Sequence, residues 1–221
     1  MQRPWHRNIR KAVCIYCGAP GGHPDHVPPK NLFTGRRDRL IRVPACSGCN
    51  RRWSELDEKF RLLTSLKASD TDTARQLFES SVRGLEKRPA WREELRLNSF
   101  WRPWSNDYQV RLPTGVFEPM IDRVTRGLYW YEYGQSLDAA LPIRTYYLNT
   151  LKGMEAELPN FIRKTVGDGQ FLYAFQRYEP RPTCSTWVFV FHRRLLAGAT
   201  TDDEWQRAMR RKITDGKSPD A

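Results

Sequence analysis

No apolar run in this chain approaches the ~20 residues that a membrane-spanning helix requires. The opening stretch, MQRPWHRNIRKAVCIYCG, is basic but has no apolar core of a secretory signal. These two absences lead us to expect a cytoplasmic protein with no membrane partner. There is no internal repeat and no low-complexity tract, so a repeat architecture is not expected. Acid is scarce as well, with 25 Asp/Glu against 37 Lys/Arg in 221 residues, a formal net charge of +12. What is plentiful is core-forming material. Hydrophobic residues make up 39% and aromatics 12%, including eight tryptophans, which describes a folded chain large enough to bury a substantial core.

The charge is unevenly placed. Residues 1–53 hold eleven Lys/Arg against only Asp25 and Asp38, a net of +9. A segment this basic, with Trp5, Tyr16, Phe33 and Trp53 interspersed, fits a polyanion partner. Release of counterions from nucleic acid is the physical source of affinity it would use. The bland alternative is a solvated basic face.

Cysteines number only five, and four of them form the pairs Cys14–Cys17 (CIYC) and Cys46–Cys49 (CSGC), with 28 residues between Cys17 and Cys46. Two C-x2-C knuckles in a reducing compartment read as a structural zinc site with four thiolate ligands. Two disulfides are the alternative, and a reducing compartment disfavours them. Cys184 has no partner spacing and reads as an ordinary thiol.

Between the knuckles, one short extended segment leads into Asp25–His26 and a second is LIRVPA at 40–45. After Cys49 the apolar residues Trp53, Leu56, Phe60, Leu63 and Leu66 recur at helical spacing. The first sixty-odd residues therefore read ββα, with zinc tying the hairpin to the helix start. Helices follow at about 71–87 and from Pro89 through PAWREELRLNSF. Further on, YQVRL and IRTYYL read as strands flanking a helix at 117–133, and 152–166 reads as helical. QFLYAFQRY and STWVFVFH read as a β-hairpin, whose aromatics we assign to sheet core rather than to base stacking. A short helix at 202–212 and a polar tail complete the pattern. The expected class is α+β. It comprises a zinc-stapled module at 1–62, a helical segment at 63–105, and a mixed α+β region at 106–221 of unread role, through which a homo-oligomer or protein partner stays open.

The phrase HPDHVPPKNLF puts an acid and a histidine together where Pro28 and Pro29 close off a strand. With both knuckles, and with Asn50 directly after Cys49, this order resembles the zinc-containing HNH endonucleases over about residues 12–62. What the resemblance implies is a ββα-metal fold and a DNA-cleaving phosphodiesterase, with RNA open as an alternative substrate. His26 falls at the general base, and Asp25 and Asn50 at the ligands of a catalytic divalent cation. The chemistry is coherent. Histidine can deprotonate water near neutral pH, and an oxygen pair suits Mg²⁺ or Mn²⁺. Lys30, Arg51 and Arg52 are expected to hold phosphates, the arginines at a helix N-terminus.

Two features strain that expectation. Neighbours on a regular strand point to opposite faces, so Asp25 and His26 share a site only if the prolines break the ladder there. The middle asparagine of the pattern is also missing: Asp38, Arg39, Leu40, Ile41, Arg42 and Val43 stand where it would fall, and Asn31 comes too early. Either another group orients His26 or catalysis is weak or lost. A zinc-containing nucleic-acid-binding module without catalysis is the competing expectation. His6 and His192 read as surface or capping residues, and His23 as a turn residue; Asp57 and Glu58 read as a solvated helix face.

Overall fold

The computed structural model describes residues 9, 11–35, 37, 39–67, 72–102, 107–110, 115–148, 160–179 and 181–202. Strands β1 (His23–His26) and β2 (Arg42–Ala45) pair antiparallel, with Asp25 opposite Val43 and His26 opposite Arg42. Cys46 then caps a short helix, α1 (Ser47–Arg52), its sulfur accepting from the Cys49 N–H. The run expected as one helix is divided at Trp53, after which α2 (Ser54–Lys67) begins. Helices α3 (Asp72–Glu86) and α4 (Pro89–Leu97) follow, close to expectation.

Helix α4 is shorter than its apolar pattern suggested. Asn98 ends it, and Ser99–Arg102 forms strand β3, paired with β4 (Asp107–Val110). Helix α5 (Phe117–Tyr133) matches its expected span and stops at Gly134. That glycine adopts φ 72, and its N–H donates to the Trp130 carbonyl at 2.8 Å, a left-handed cap that a side chain would disfavour.

The remaining strands are β5 (Ile143–Leu148), β6 (Ile162–Val166), β7 (Phe171–Arg177), β8 (Ser185–Phe191) and β9 (Leu195–Thr201). They form one antiparallel sheet in the order β5-β9-β8-β7-β6. The β7–β8 hairpin is as expected, in register from Phe171 opposite Phe191 to Arg177 opposite Ser185. Two readings change. Ile162–Val166, expected as the end of a helix, is a strand because it pairs along its length with β7; a ladder partner outweighs weak local propensity. Strand β9, LLAGATT, was not anticipated. Residues 152–159 and the expected helix and tail beyond 202 lie outside the described residues. Among the described residues no helix is long and apolar enough to cross a membrane.

One face of the sheet is an aromatic layer. Phe171, Tyr173, Phe175, Trp187, Phe189 and Phe191 are all buried, with Phe175 and Trp187 stacked at 4.8 Å between centroids. They are core, as expected. The same core extends without a break into the hairpin and α2, taking in Ile15, Val27, Leu32, Phe33, Val43 and Phe60. Phe60 on α2 meets Phe191 on β8 edge to face at 5.2 Å, a contact worth about 0.5–1.5 kcal/mol beyond its buried area. His192 is accordingly no surface residue. It is 4% exposed, its Nε2 lies 2.9 Å from the Leu32 carbonyl oxygen, and its N–H donates to Gln170 at 2.7 Å. The side-chain amide of Gln170 bonds Thr34 at both its N–H (3.0 Å) and its carbonyl (3.1 Å), pinning the 32–34 segment to the sheet's β6–β7 turn.

Helix α5 approaches the hairpin closely at Gly127. A Cβ built there would stand 2.5 Å from Val27 Cγ2 and 2.8 Å from Val27 Cγ1. Gly127→Ala should therefore destabilise the protein by about 1–3 kcal/mol, as overpacking does. The check is a chemical denaturation curve, which should move to lower midpoint with its slope unchanged. An unmoved midpoint would mean that helix and hairpin separate without cost.

Candidate functional site

The four knuckle cysteines converge. One sulfur from each of Cys14, Cys17, Cys46 and Cys49 lies within 4.8 Å of all the others, and Cys17 and Cys46 Sγ are 3.7 Å apart. Tetrahedral Zn–S bonds of about 2.3 Å imply S···S edges of roughly 3.8 Å, so the donor set and its spacing fit one zinc ion. Local backbone builds it: Cys14 N–H donates to Ala19 O at 2.8 Å, and Gly18 N–H folds back to Cys14 O at 2.9 Å. The Cys49 backbone N–H, donating into the Cys46 sulfur, brings the Cys46 thiol down to about 7, toward the thiolate a metal needs. Burial pushes the Cys49 thiol far up, a cost that a bound dication would reverse. Zinc here would be structural, since all four positions are taken by sulfur. Cys184 is buried and stands apart from the cluster.

Asp25 is not at the surface. It is 3% exposed and both its oxygens are engaged: Arg123 of α5 donates Nη2 to Oδ1 at 2.6 Å and Nε to Oδ2 at 3.1 Å. Tyr16 OH adds a bond to Oδ2 at 2.8 Å. Arg123, itself 1% exposed, turns Nη1 to Asp57 Oδ1 and lies 5.4 Å from the Trp53 ring centroid. Burial alone would weaken the charge on Arg123, but Asp25, Tyr16 and Asp57 outweigh it and hold the guanidinium firmly protonated. Burial and the Asp25 charge together push the Tyr16 phenol well up.

His26 faces the other way. The ladder stays regular through it, and Val27 N–H still donates to Ile41 O at 3.1 Å, so the prolines end the strand only after the pair. The break that would have let Asp25 and His26 share a side is therefore absent. The His26 imidazole is half-exposed and, among the described residues, has no hydrogen-bond partner. Burial lowers its pKa, and Lys30, Arg42 and Arg123 lower it further against the pull of Asp25; the ring is neutral at neutral pH. In the 38–43 span where the middle asparagine was expected, Leu40, Ile41 and Val43 are buried core residues. The donors expected for Mg²⁺ or Mn²⁺ do not fit such an ion as they stand, because the Asp25 carboxylate is already saturated by Arg123 and Tyr16. Asn50 is on α1, half-exposed, with its N–H bonded to Cys46 O. His23 opens β1 and is exposed.

Arg51 and Arg52 are exposed in the last turn of α1, not at a helix N-terminus as the sequence suggested, because α1 starts at Ser47. Arg52 lies 4.5 Å over the Trp53 ring. Lys30 is exposed in the 3-10 turn that follows the hairpin strand. Asp57, read as a solvated carboxylate, is instead a partner of Arg123, and Glu58 pairs with Arg88 at 2.5 Å. The residue that sequence reasoning missed is Arg123. The sequence carried little signal for it, because FEPMIDRVTRGLYWY also holds Glu118, Asp122 and Arg126 and nothing local marks which of these charges is buried.

Comparison with protein-family models, with curated proteins and with solved structures gives no match. The likeness to HNH endonucleases thus stands on the motif residues alone.

Two outcomes follow from this geometry. Purified protein should carry about one zinc per chain, and Cys46→Ser should lose both metal and cooperative unfolding, since binding and folding are coupled; metal analysis and thermal melts check this. Asp57, mostly buried and left with the third side of a guanidinium already paired to Asp25, is pushed up to about 6. A carboxyl whose folded pKa is raised stabilises the protein below its unfolded pKa near 4 and loses that contribution as pH rises through about 6. The melting temperature of wild type relative to Asp57→Asn should accordingly fall between pH 4 and pH 6.5. A difference that is flat over that range would show Asp57 to be fully ionised throughout.

Proposed function

We propose that this chain is a nucleic-acid-binding protein whose zinc-stapled, HNH-like module holds the polyanion by its basic surface without hydrolysing it. The observation that carries this reading is the Asp25–Arg123 pair. The one carboxylate in the motif is buried and charge-neutralised by a guanidinium, so it serves to weld the hairpin to α5. Exposed cations remain on the same module: Lys30, Arg51 and Arg52 all reach solvent. DNA is the expected polyanion from the motif, with RNA the alternative.

A second reading, the metal-dependent HNH endonuclease, is supported by His26. A neutral, half-exposed imidazole between Lys30 and Arg42 is suited to taking a proton from water beside a bound phosphate. Asp25 and Asn50 would be the divalent-cation ligands by resemblance, and the first would have to give up Arg123.

Fluorescence anisotropy and plasmid nicking separate the two. On the binding reading, affinity for DNA falls steeply with salt, and Arg51→Gln/Arg52→Gln flattens log affinity against log salt by about two units. Plasmid stays supercoiled with Mg²⁺ or Mn²⁺ present. If wild type nicks plasmid and His26→Ala reduces the rate by at least ~100-fold, the endonuclease reading replaces it.

A further inference from the structure

A cleft of about 360 Å³ lies between the 30–37 loop and helices α2 and α3. It is lined by Lys30, Asn31, Arg37 and Arg61, with Gln76 and Ser80 on the α3 side, and no carboxylate is among its lining residues. Among the described residues, three cations line this cleft and no acid does. Among the described residues none of the three forms an ion pair; Glu58, the nearest acid to act on Arg61, is taken by Arg88.

The arginines are positioned rather than loose. Arg37 donates Nε (3.2 Å) and Nη2 (2.9 Å) to the Phe33 carbonyl. Arg61 donates Nε to Ser81 Oγ at 3.1 Å, while Ser81 itself is fixed to Leu77 O at 2.8 Å. Each guanidinium is thus held from one side with Nη1 uncommitted among the described residues, which is the preorganisation that planar recognition of an oxyanion uses. Arg61 is half-buried, and burial together with the nearby Arg88, Arg37 and Arg83 destabilises its charge. An anion in the cleft would relieve that cost. Asn31 also lines the cleft, and its Oδ1 is buried without a hydrogen-bond partner among the described residues.

We propose that this cleft is a phosphate pocket, in which Lys30, Arg37 and Arg61 bind a single phosphate of a nucleic-acid strand. The proposal rests on the nucleic-acid-binding reading for the source of the phosphate, and on the cleft alone for its chemistry. Its placement is consistent with one continuous path. Lys30 lines the cleft and its charge also acts on His26, which links the cleft to the hairpin side of the module.

The experiment uses the full-length zinc-loaded protein, with Arg37→Gln/Arg61→Gln and, because Arg61 also bonds helix α3, the exposed Lys30→Gln as a second variant. Two probes are applied: a fluorescein-labelled single-stranded DNA in a salt titration, and inorganic phosphate against chloride at equal ionic strength in a thermal melt. Loss of one phosphate contact should flatten the salt slope by about one unit in the double variant. Lys30→Gln should weaken binding in the same direction, and the phosphate-induced rise in melting temperature should vanish from the double variant. If DNA binds wild type and both variants with the same affinity and slope, the pocket is overturned while nucleic-acid binding stands. If wild type ignores DNA but is stabilised by phosphate through these residues, the pocket stands as a site for a small phosphate and the binding reading falls. No response to either probe overturns both.

Discussion

Arg123 is the charge on which the arrangement of this protein turns. A fully buried guanidinium is tolerable only when it is paired and its donors are used, and here Asp25, Asp57 and the face of Trp53 surround it. The three partners come from different elements: the first strand, the second helix, and the link between α1 and α2. A residue of α5 thereby ties the first strand, the second helix and the α1–α2 link to one another. Removing either partner of such a pair typically costs about 3–5 kcal/mol, because the survivor is left buried and uncompensated. The same pair withholds from solvent the carboxylate that the motif would use for metal.

Zinc and the core divide the remaining work. A hairpin of two four-residue strands with one short helix cannot bury enough surface to hold itself together, and a four-thiolate metal site is one remedy. This chain uses a second remedy as well. Val27 is pressed against α5 at Gly127, and Phe33 against the β6–β7 turn at Gly167, so the hairpin's apolar residues are covered by the large sheet and its helix. The module's outer face, having no core to serve, is left to cations.

That outer face has a consistent physical character. Lys30, Arg51 and Arg52 are exposed, Arg37 and Arg61 line a cleft free of carboxylates, and His26 is kept neutral among positive neighbours. Among the described residues, Asp25 and Asp57 are turned to Arg123 and Glu58 to Arg88. Segregating the signs in this way maintains a positive surface at close range, where a polyanion would sit.

Local patterns were enough for much of this. The spacing of four cysteines, a property of the chain alone, put their sulfurs on one site, because short turns leave a C-x2-C pair few arrangements. Helical periodicity placed α5, and alternation with aromatic enrichment placed the β7–β8 hairpin. Strand β6 and strand β9 were not legible, since their identity comes from neighbours distant in sequence that supply ladder partners. The motif DHVPP was legible as a strand end, but the direction of its side chains was not. Whether Asp25 faced solvent or core depended on one arginine 98 residues further along the chain, and only packing of α5 against the hairpin brought that charge within bonding distance.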